Sequence, residues 1–290
     1  MSWRTIIIST RCKLDYKMGY MYVRAEEIKK VFLDEVAILM IENPAVSFTG
    51  CLMEALIEKK IKVIFCDTKR SPISELVPYH GCHNSSERIR MQMTWDRKTK
   101  DAAWQKIISR KIENQQLLLL HESKEREAEL LGSYIRQIVP GDKTNREGHA
   151  AKVYFNALFG MDFSRGKECP INAALNYGYG ILLSAFNREV AASGYITQIG
   201  IFHDNMFNHF NLTCDLVEPF RTLVDQYVVE KKPEKFDREE KRELWGVLHQ
   251  DVQINGRSQT VLNAIKIYCK HFFDAMNEKD MTKIIFLDRK

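Results

Sequence analysis

The feature that most restricts the fold is a long stretch from Glu87 to Leu131 that contains neither proline nor glycine. Without these residues nothing in the sequence breaks or kinks a helix. The stretch also carries apolar residues at positions that mark one face of a helix, namely Ile89, Met93, Trp104, Ile108, Ile112 and Leu119. The middle of the chain is therefore predicted to form long helices.

The sequence before residue 85 has a different character. It contains short runs rich in β-branched and aromatic residues, which are WRTIIIST, MGYMYVR, EVAILMI and KVIFC. Such runs, separated by turn residues, are typical of strands. Between the last two, TGCLMEALIEKKI has Thr49 at a helix N-cap position and a lysine-rich end, so it predicts a helix between two strands. An α+β protein with two domains follows.

The domain boundaries are predicted from proline, glycine and serine. The segment KRSPISELVPYHGCHNSS contains two prolines and a glycine, which is typical of a linker. We predict a β-rich domain over residues 1–78, a linker over 79–86 and a helical domain over 87–290. PGDK at 140–143 interrupts the helices, and later helices are predicted over 171–193, 214–230, 238–249 and 258–276.

Composition restricts the class of protein. The chain has 290 residues, of which 45% are hydrophobic, so it can bury a core and is not a disordered protein. Its seven cysteines are scattered and odd in number, which is typical of reduced thiols. The sequence shows neither a secretory signal nor a membrane-spanning run. We expect a cytoplasmic protein with no membrane partner.

The net charge of +5 allows a polyanionic partner without requiring one. The long helical stretch is rich in basic residues, among which Arg97, Lys98, Lys106 and Arg110 are candidates for contacts with DNA phosphates. An ordinary solvated helix face explains the same residues equally well. Both interpretations stay open at the level of the sequence.

Three places are candidates for catalytic chemistry. Glu147 lies three residues after Thr144, and this spacing also predicts a capping box in which the glutamate has no further role. His203 follows an apolar segment of the sequence, and a single histidine in such a place is commonly a structural residue. Asp215 and Glu218, three residues apart, lie on one face of a helix or cap its start.

Considered together, the three places indicate a divalent metal site. Carboxylate oxygens with one imidazole suit Mg²⁺ or Mn²⁺, whereas structural zinc usually has thiolate ligands. The chemistry that such a site predicts is phosphoryl transfer.

Four ordered segments carry a resemblance to a known family. They are NREGHAAKVYFNALF, INAALNYGYGILLSAF, GIFHDN and LTCDLVEPFR. They resemble the CRISPR-associated integrase family, the universal endonuclease of spacer acquisition. Its pattern is a Glu-Gly helix start, an Asn-x-x-Leu-Asn-Tyr-x-Tyr helix, a Gly-x-x-His loop and an Asp-Leu-x-Glu-x-Phe-Arg helix. The resemblance extends to LMIENPAVSFTGCLMEALIEKKIKVIFCD, and the short, lysine-rich form most resembles the type II-A subfamily.

The resemblance implies a fold and a set of partners. A small β-sandwich-like N-terminal domain would form a homodimer, and a larger all-α domain would hold the active site. Two such dimers would flank a dimer of the small second adaptation protein in a heterohexamer-like complex on double-stranded DNA. Other type II-A adaptation proteins and the RNA-guided effector nuclease are further implied partners.

The resemblance also implies the site residues. Glu147, His203 and Glu218 would be catalytic metal ligands for Mg²⁺ or Mn²⁺, with Asp215 adjacent. Glu218 departs from the aspartate that many relatives have at this position. Arg221 would contact a phosphate or the ligand carboxylates, and a structural ion pair explains it equally well.

The implied reaction is the insertion of short DNA fragments into a CRISPR array. A DNA 3′-hydroxyl attacks a phosphodiester, so the reaction is a transesterification, and water in place of the hydroxyl gives nuclease activity. Two alternatives stay open: a stand-alone Mg²⁺-dependent nuclease of branched DNA, and a non-enzymatic helical scaffold that binds nucleic acid. In this helical domain Asn172, Asn176, Tyr177 and Tyr179 could support the site or the DNA, and packing is the expected main role of the tyrosines.

Overall fold

The computed structural model describes residues 4–68, 70, 72–76 and 84–288. The chain divides into two compact units, Met1–Gly81 and Cys82–Lys290. The predicted linker falls mostly outside the described residues, since 79–83 are not among them. Its last two residues, Ser85 and Ser86, already belong to a helix.

The described residues of the first unit form two four-stranded sheets and one α-helix. One sheet has the order β1-β5-β7-β8, in which β1, β5 and β7 are parallel and β8 is antiparallel to β7. The other has the order β4-β3-β2-β6, antiparallel except where β6 pairs with β2. The bounds are β1 Arg4–Ile8, β2 Lys13–Lys17, β3 Tyr20–Arg24, β4 Ile28–Phe32, β5 Val36–Ile41, β6 Ser47–Phe48, α1 Gly50–Glu58, β7 Lys62–Cys66 and β8 Pro72–Glu75.

Both sheets and the helix contribute to one core in this unit. Leu14 and Met21 of the antiparallel sheet lie in the same buried cluster as Leu39 of β5 and Leu52 of α1. All six residues of β5 are buried, as expected for a strand between two parallel neighbours. The side chain of Thr49 accepts a hydrogen bond from the amide of Leu52, so the predicted N-cap of α1 is confirmed.

The second unit, over its described residues 84–288, consists of helices and one hairpin. Its helices are α2 Ser85–Met93, α3 Arg97–His121, α4 Glu125–Ile135, α5 Arg146–Phe159, α6 Pro170–Ala192, α7 Asn211–Val217, α8 Arg221–Lys231, α9 Arg238–Leu244 and α10 Val261–Glu278. Short 3₁₀ turns cover Pro140–Asp142, Glu218–Phe220 and Trp245–His249. The hairpin consists of β9 Asp251–Ile254 and β10 Arg257–Thr260.

The prediction of a two-part α+β fold, with a β-rich first part and a larger helical second part, is confirmed. Two predicted helices need correction. The helix at 214–230 begins earlier, at Asn211, and is interrupted at Glu218–Phe220, where Pro219 cannot donate a helical hydrogen bond. The helix at 258–276 begins at Val261 because 258–260 belong to β10. The turn residues Asn255 and Gly256 both have positive φ, as an Asn-Gly hairpin turn requires.

Helix α3 organises the second unit around the candidate site. Trp104, Ile108 and Leu119 are fully buried on it, and it packs against α4, α5, α8 and the 3₁₀ turn at Glu218–Phe220. The start of α5 and that turn therefore both lie against α3. Among the described helices, none combines the length and the apolar character that crossing a membrane requires.

Candidate active site

Glu147 lies in the first turn of α5, and its carboxylate points to α3. The cap of this helix is Asn145, whose side chain accepts a hydrogen bond from the Gly148 amide. Buried Asp142 accepts hydrogen bonds from the amides of Arg146 and Glu147, both at 2.9 Å. The predicted capping box between Thr144 and Glu147 is therefore wrong, because other residues satisfy these amides and Glu147 is available for other contacts.

Glu218 lies at the start of the 3₁₀ turn and is 4% exposed. Its Oε1 accepts a hydrogen bond from Arg221 Nε at 2.9 Å, and its Oε2 lies 2.5 Å from Lys111 Nζ. Burial would raise the pKa of Glu218, but the two cations outweigh it and lower that pKa. The turn places Arg221 three residues after the glutamate, so the structural ion pair predicted as one alternative is present.

Lys111 of α3 joins the two glutamates. Its Nζ lies 2.5 Å from Oε1 of Glu147 and 2.5 Å from Oε2 of Glu218. Burial alone would lower the pKa of Lys111, yet Glu218 and Glu147 raise it. The side chain is therefore an ammonium ion between two carboxylates that are distant in the sequence.

Asp215 holds the loop that carries His203. Its fully buried carboxylate accepts hydrogen bonds from the amides of Ile201, Phe202 and His203, at 2.7 to 3.2 Å. Nδ1 of His203 lies 2.6 Å from Oδ1 of Asp215. This contact raises the pKa of His203 against the opposing effect of burial. Asp215 is therefore fully engaged with the loop, and its contacts are those of a residue that orients the imidazole.

The loop approaches Asp215 so closely that only glycine fits at position 200. A Cβ there would lie 2.4 Å from the carbonyl oxygen of His203 and 2.6 Å from Oδ2 of Asp215. The ring of His203 also packs edge-on against Trp104 of α3, with 5.7 Å between ring centroids. Since Nδ1 is directed at Asp215, Nε2 is the ring nitrogen that can bind a ligand.

A second buried carboxylate, Asp225 of α8, is linked to Arg221 through Tyr179. Asp225 accepts a hydrogen bond from Tyr154 at 2.9 Å and another from Tyr179. The guanidinium of Arg221 lies over the Tyr179 ring, 4.5 Å from its centroid. Tyr179 therefore supports the site through Arg221, whereas Tyr177 accepts a hydrogen bond from Trp245 in the core. Asn172 and Asn176 both hold Arg165.

Burial raises the pKa of Asp225 to about 6, against the opposing hydrogen bonds of Tyr179 and Tyr154. A carboxyl group whose pKa is higher in the folded state destabilises the protein as the pH rises from about 4 to about 6. This difference in pKa between the unfolded and the folded state corresponds to about 3 kcal/mol. We expect the free energy of unfolding of the parent to fall by about this amount relative to that of Asp225→Asn over this range. Urea unfolding at several pH values measures the difference, and parallel curves for the two proteins would contradict it.

The predicted DNA-binding residues do not form one face of α3. Arg97 and Lys98 at its start and Lys106 are exposed, and Arg97 pairs with Asp101. Arg110 is largely covered and lies over the Phe286 ring, 5.1 Å from its centroid. The Arg110 side chain thus packs on Phe286, and DNA contacts at all four residues stay predictions.

Lys111 and Asp142 are the residues that the sequence reasoning missed. Lys111 is one of the basic residues of the long helical stretch, and nothing in the sequence analysis distinguishes it from the others. Its position, three residues after Ile108 and directly before Ile112, is within the apolar stripe. A lysine is rarely buried without a carboxylate partner, and that rule was the available signal.

The residues fit a divalent metal ion by their chemistry. Two carboxylates converge on one cation, the Lys111 ammonium, and an imidazole oriented by a buried aspartate is the arrangement that orients metal-binding histidines. Within the described residues, no group of three His, Cys, Asp or Glu side chains is already arranged around a common ion position. The place between the carboxylates contains Lys111 instead.

Comparison with known proteins identifies the family. A sequence model of the CRISPR associated protein Cas1 family matches residues 5–248. The chain belongs to the Cas1 family. It is 30% identical over 290 residues to the CRISPR-associated endonuclease Cas1 of Neisseria meningitidis serogroup C (strain 8013), covering 98% of this chain and 95% of that protein.

Solved structures of Cas1 proteins and of a casposase share the fold. A casposase bound to integration product has a TM-score of 0.78 at 18% identity, covering 97% of this chain and 94% of that chain. A Cas6-RT-Cas1--Cas2 complex has a TM-score of 0.77 at 18% identity, covering 99% of this chain and 36% of that chain. The predicted family is confirmed, and family membership places the chain among the nucleases and integrases of CRISPR spacer acquisition. The type II-A assignment stays a prediction.

Proposed function

We propose that this Cas1 protein is a metal-dependent DNA integrase and endonuclease that inserts short DNA fragments into a CRISPR array. The observation that carries the proposal is the convergence of Glu147 and Glu218 on one cation position. His203 lies on a loop that Asp215 holds, and its ring packs against Trp104 of α3, the helix that carries Lys111. These residues lie far apart in the sequence, so their convergence is difficult to explain by helix capping.

In this proposal Glu147, Glu218 and Nε2 of His203 hold Mg²⁺ or Mn²⁺. When bound, such an ion supplies a Lewis acid that neutralises charge developing on the scissile phosphate. Asp215 keeps the imidazole in one orientation through Nδ1. A role of His203 in proton transfer is compatible with the same geometry.

The reaction needs no external energy source. The oxygen of a fragment 3′-hydroxyl bonds to phosphorus, and the bond from that phosphorus to the target 3′-oxygen breaks. The proton of the attacking hydroxyl is lost, and the leaving oxygen gains one. One phosphodiester replaces another, and water in place of the hydroxyl gives a strand break.

Arg221 and Arg165 are suited to hold the DNA phosphate. Both line a cavity of about 230 Å³ next to Glu218, and both stack on the Tyr179 ring. Arginine binds phosphate through several parallel hydrogen bonds. The exposed Arg97, Lys98 and Lys106 would contact the duplex further along α3.

The proposed partners follow from the relatives. A neighbour of the same fold was solved as a Cas6-RT-Cas1--Cas2 complex, and a casposase was solved with an integration product. We propose that this protein works as a homodimer, with a Cas2 partner in a heterohexamer-like complex, on double-stranded DNA.

The test is a joining reaction. The protein is incubated with its Cas2 partner, Mn²⁺ or Mg²⁺, a short duplex with 3′-hydroxyl ends and a supercoiled plasmid carrying a leader-repeat junction. We expect joined products, and we expect a matched duplex with 3′-deoxy ends to give none, because the attacking oxygen is missing.

The outcomes separate the proposed function from its alternatives. Joining by 3′-deoxy duplexes would reject attack by the hydroxyl. Cut DNA without joined products would indicate a stand-alone nuclease. DNA binding without cutting or joining would indicate a scaffold.

A further inference from the structure

The Lys111 ammonium lies where the proposed metal site would need its ion. Nζ is 2.5 Å from an oxygen of Glu147 and 2.5 Å from an oxygen of Glu218. A Mg²⁺ ion bound to the same oxygens would lie at about 2.1 Å from each. The two cations would overlap in space and repel each other, so both cannot occupy this place.

Glu218 has a single carboxylate oxygen that Arg221 does not hold. Its Oε1 is held by Arg221 at 2.9 Å. Its Oε2 is buried and has no hydrogen-bond partner of acceptable geometry among the described residues, but it lies against the Lys111 ammonium. The oxygen that is free for a metal is therefore the one that Lys111 covers.

The formal charges indicate why Lys111 is there. Lys111 and Arg221 carry two positive charges, and Glu147 and Glu218 carry two negative charges, so the four side chains are neutral together. Without Lys111 two carboxylates would face each other at a largely buried place, which is unfavourable. With both Lys111 and a divalent ion the group would carry excess positive charge.

We propose that Lys111 is a built-in counter-cation of the metal position, which leaves Glu147 and Glu218 when a divalent ion binds and then pairs with the DNA phosphate. The inference rests on the proposed function, since it takes Glu147 and Glu218 as metal ligands. It assigns Lys111 two alternating partners, the ligand carboxylates in the free protein and the substrate in the complex.

The cavity beside the site provides the room for this movement. It has a volume of about 230 Å³, and Lys111, Glu218 and Arg221 all line it. The four-carbon stem of lysine allows its ammonium to move while the backbone of α3 stays in place. A phosphate in the cavity would replace the two carboxylates as the anionic partner of Lys111.

A coupling between metal and DNA follows. If a DNA phosphate pairs with the Lys111 ammonium, Lys111 no longer competes with the metal ion for Glu147 and Glu218. Metal and DNA then bind more tightly together than separately. Such coupling would keep the free protein poorly loaded with metal and therefore poorly active toward water.

The experiment measures Mn²⁺ affinity by electron paramagnetic resonance, with and without a duplex that has 3′-deoxy ends and cannot be joined. We expect Lys111→Met to bind Mn²⁺ about tenfold more tightly than the parent in the absence of DNA. We expect the duplex to tighten Mn²⁺ binding by about fivefold or more in the parent, and by less in Lys111→Met. Lys152→Met, an exposed lysine on α5, serves as the matched control and should behave as the parent.

A second measurement uses the parent alone, so that it stands even if Lys111→Met fails to fold. Acetylation of Lys111, followed by mass spectrometry, should be slow in the free protein and several-fold faster with saturating Mn²⁺. Unchanged acetylation, or a folded Lys111→Met with parental or weaker Mn²⁺ affinity, would overturn the role of Lys111. If Mn²⁺ binding still required Glu147 in that case, the proposed metal site would stand. Mn²⁺ binding that is equal in Glu147→Gln and the parent would reject the metal site itself.

Discussion

Replacing Glu147 by glutamine is expected to reduce both DNA joining and DNA cutting by about 10³-fold or more. The substitution keeps the shape of the side chain but removes the negative charge that a divalent ion requires. Bound metal supplies several kcal/mol of transition-state stabilisation, and each 1.4 kcal/mol corresponds to about tenfold in rate. The measurement is the initial rate of joining at saturating DNA with Mn²⁺. Because the side chain of Glu147 is 24% exposed, the fold should tolerate the change.

Glu218→Gln should cause a similar loss of joining and, in addition, a loss of stability. The change leaves Lys111 and Arg221 buried beside a neutral side chain, and breaking a buried ion pair in this way costs about 3 to 5 kcal/mol. Urea unfolding measures this cost in the absence of metal. The matched control is Glu129→Gln on α4, which is exposed and should retain parental joining and stability. Parental joining by both Glu147→Gln and Glu218→Gln would show that the proposed site is wrong.

Asp215→Asn is expected to reduce both the stability of the protein and its affinity for Mn²⁺. The carboxylate of Asp215 accepts four hydrogen bonds, three from backbone amides and one from His203. An amide group has one acceptor oxygen, so some of these donors lose their partner at a buried place. We expect a loss of about 1 to 3 kcal/mol in the free energy of unfolding. A 10- to 100-fold weaker Mn²⁺ affinity should accompany it, because the imidazole is no longer held in one orientation.

The pKa of His203 is a measurement that a purely structural role of Asp215 would not change. Asp215 raises the pKa of His203 in the parent, so Asp215→Asn should lower that pKa. An NMR titration of the His203 ring measures it, and His249, whose pKa is lowered by burial, serves as the internal control. An unchanged pKa of His203 in a folded Asp215→Asn protein would contradict the assigned contact.

How well a structural feature can be predicted from the sequence depends on the range of the interactions that form it. Thr49 and the helix α1 that it caps were predicted correctly because the cap and its amide are only three residues apart. The hairpin at Asn255-Gly256 had an equally local signal, yet it was not predicted, and residues 258–260 of its second strand were assigned to the helix that follows. The capping box at Glu147 was wrong for the opposite reason: Asp142, five residues earlier, satisfies the amide of Glu147 from outside the expected spacing.

The sequence by itself determined the division into a β-rich part and a larger helical part, the family and the identity of the candidate ligands. Helical periodicity, turn residues and short motifs are local properties that can be recognised along the chain. Only the tertiary structure decided which charged groups meet: Lys111 lies 36 residues from Glu147 and is still further from Glu218. Contacts of this kind depend on how α3 packs against α5 and the turn at Glu218, and no local pattern records that packing. For the same reason only the structure assigned Asp215 to the backbone of the His203 loop and revealed a lysine at the proposed metal position.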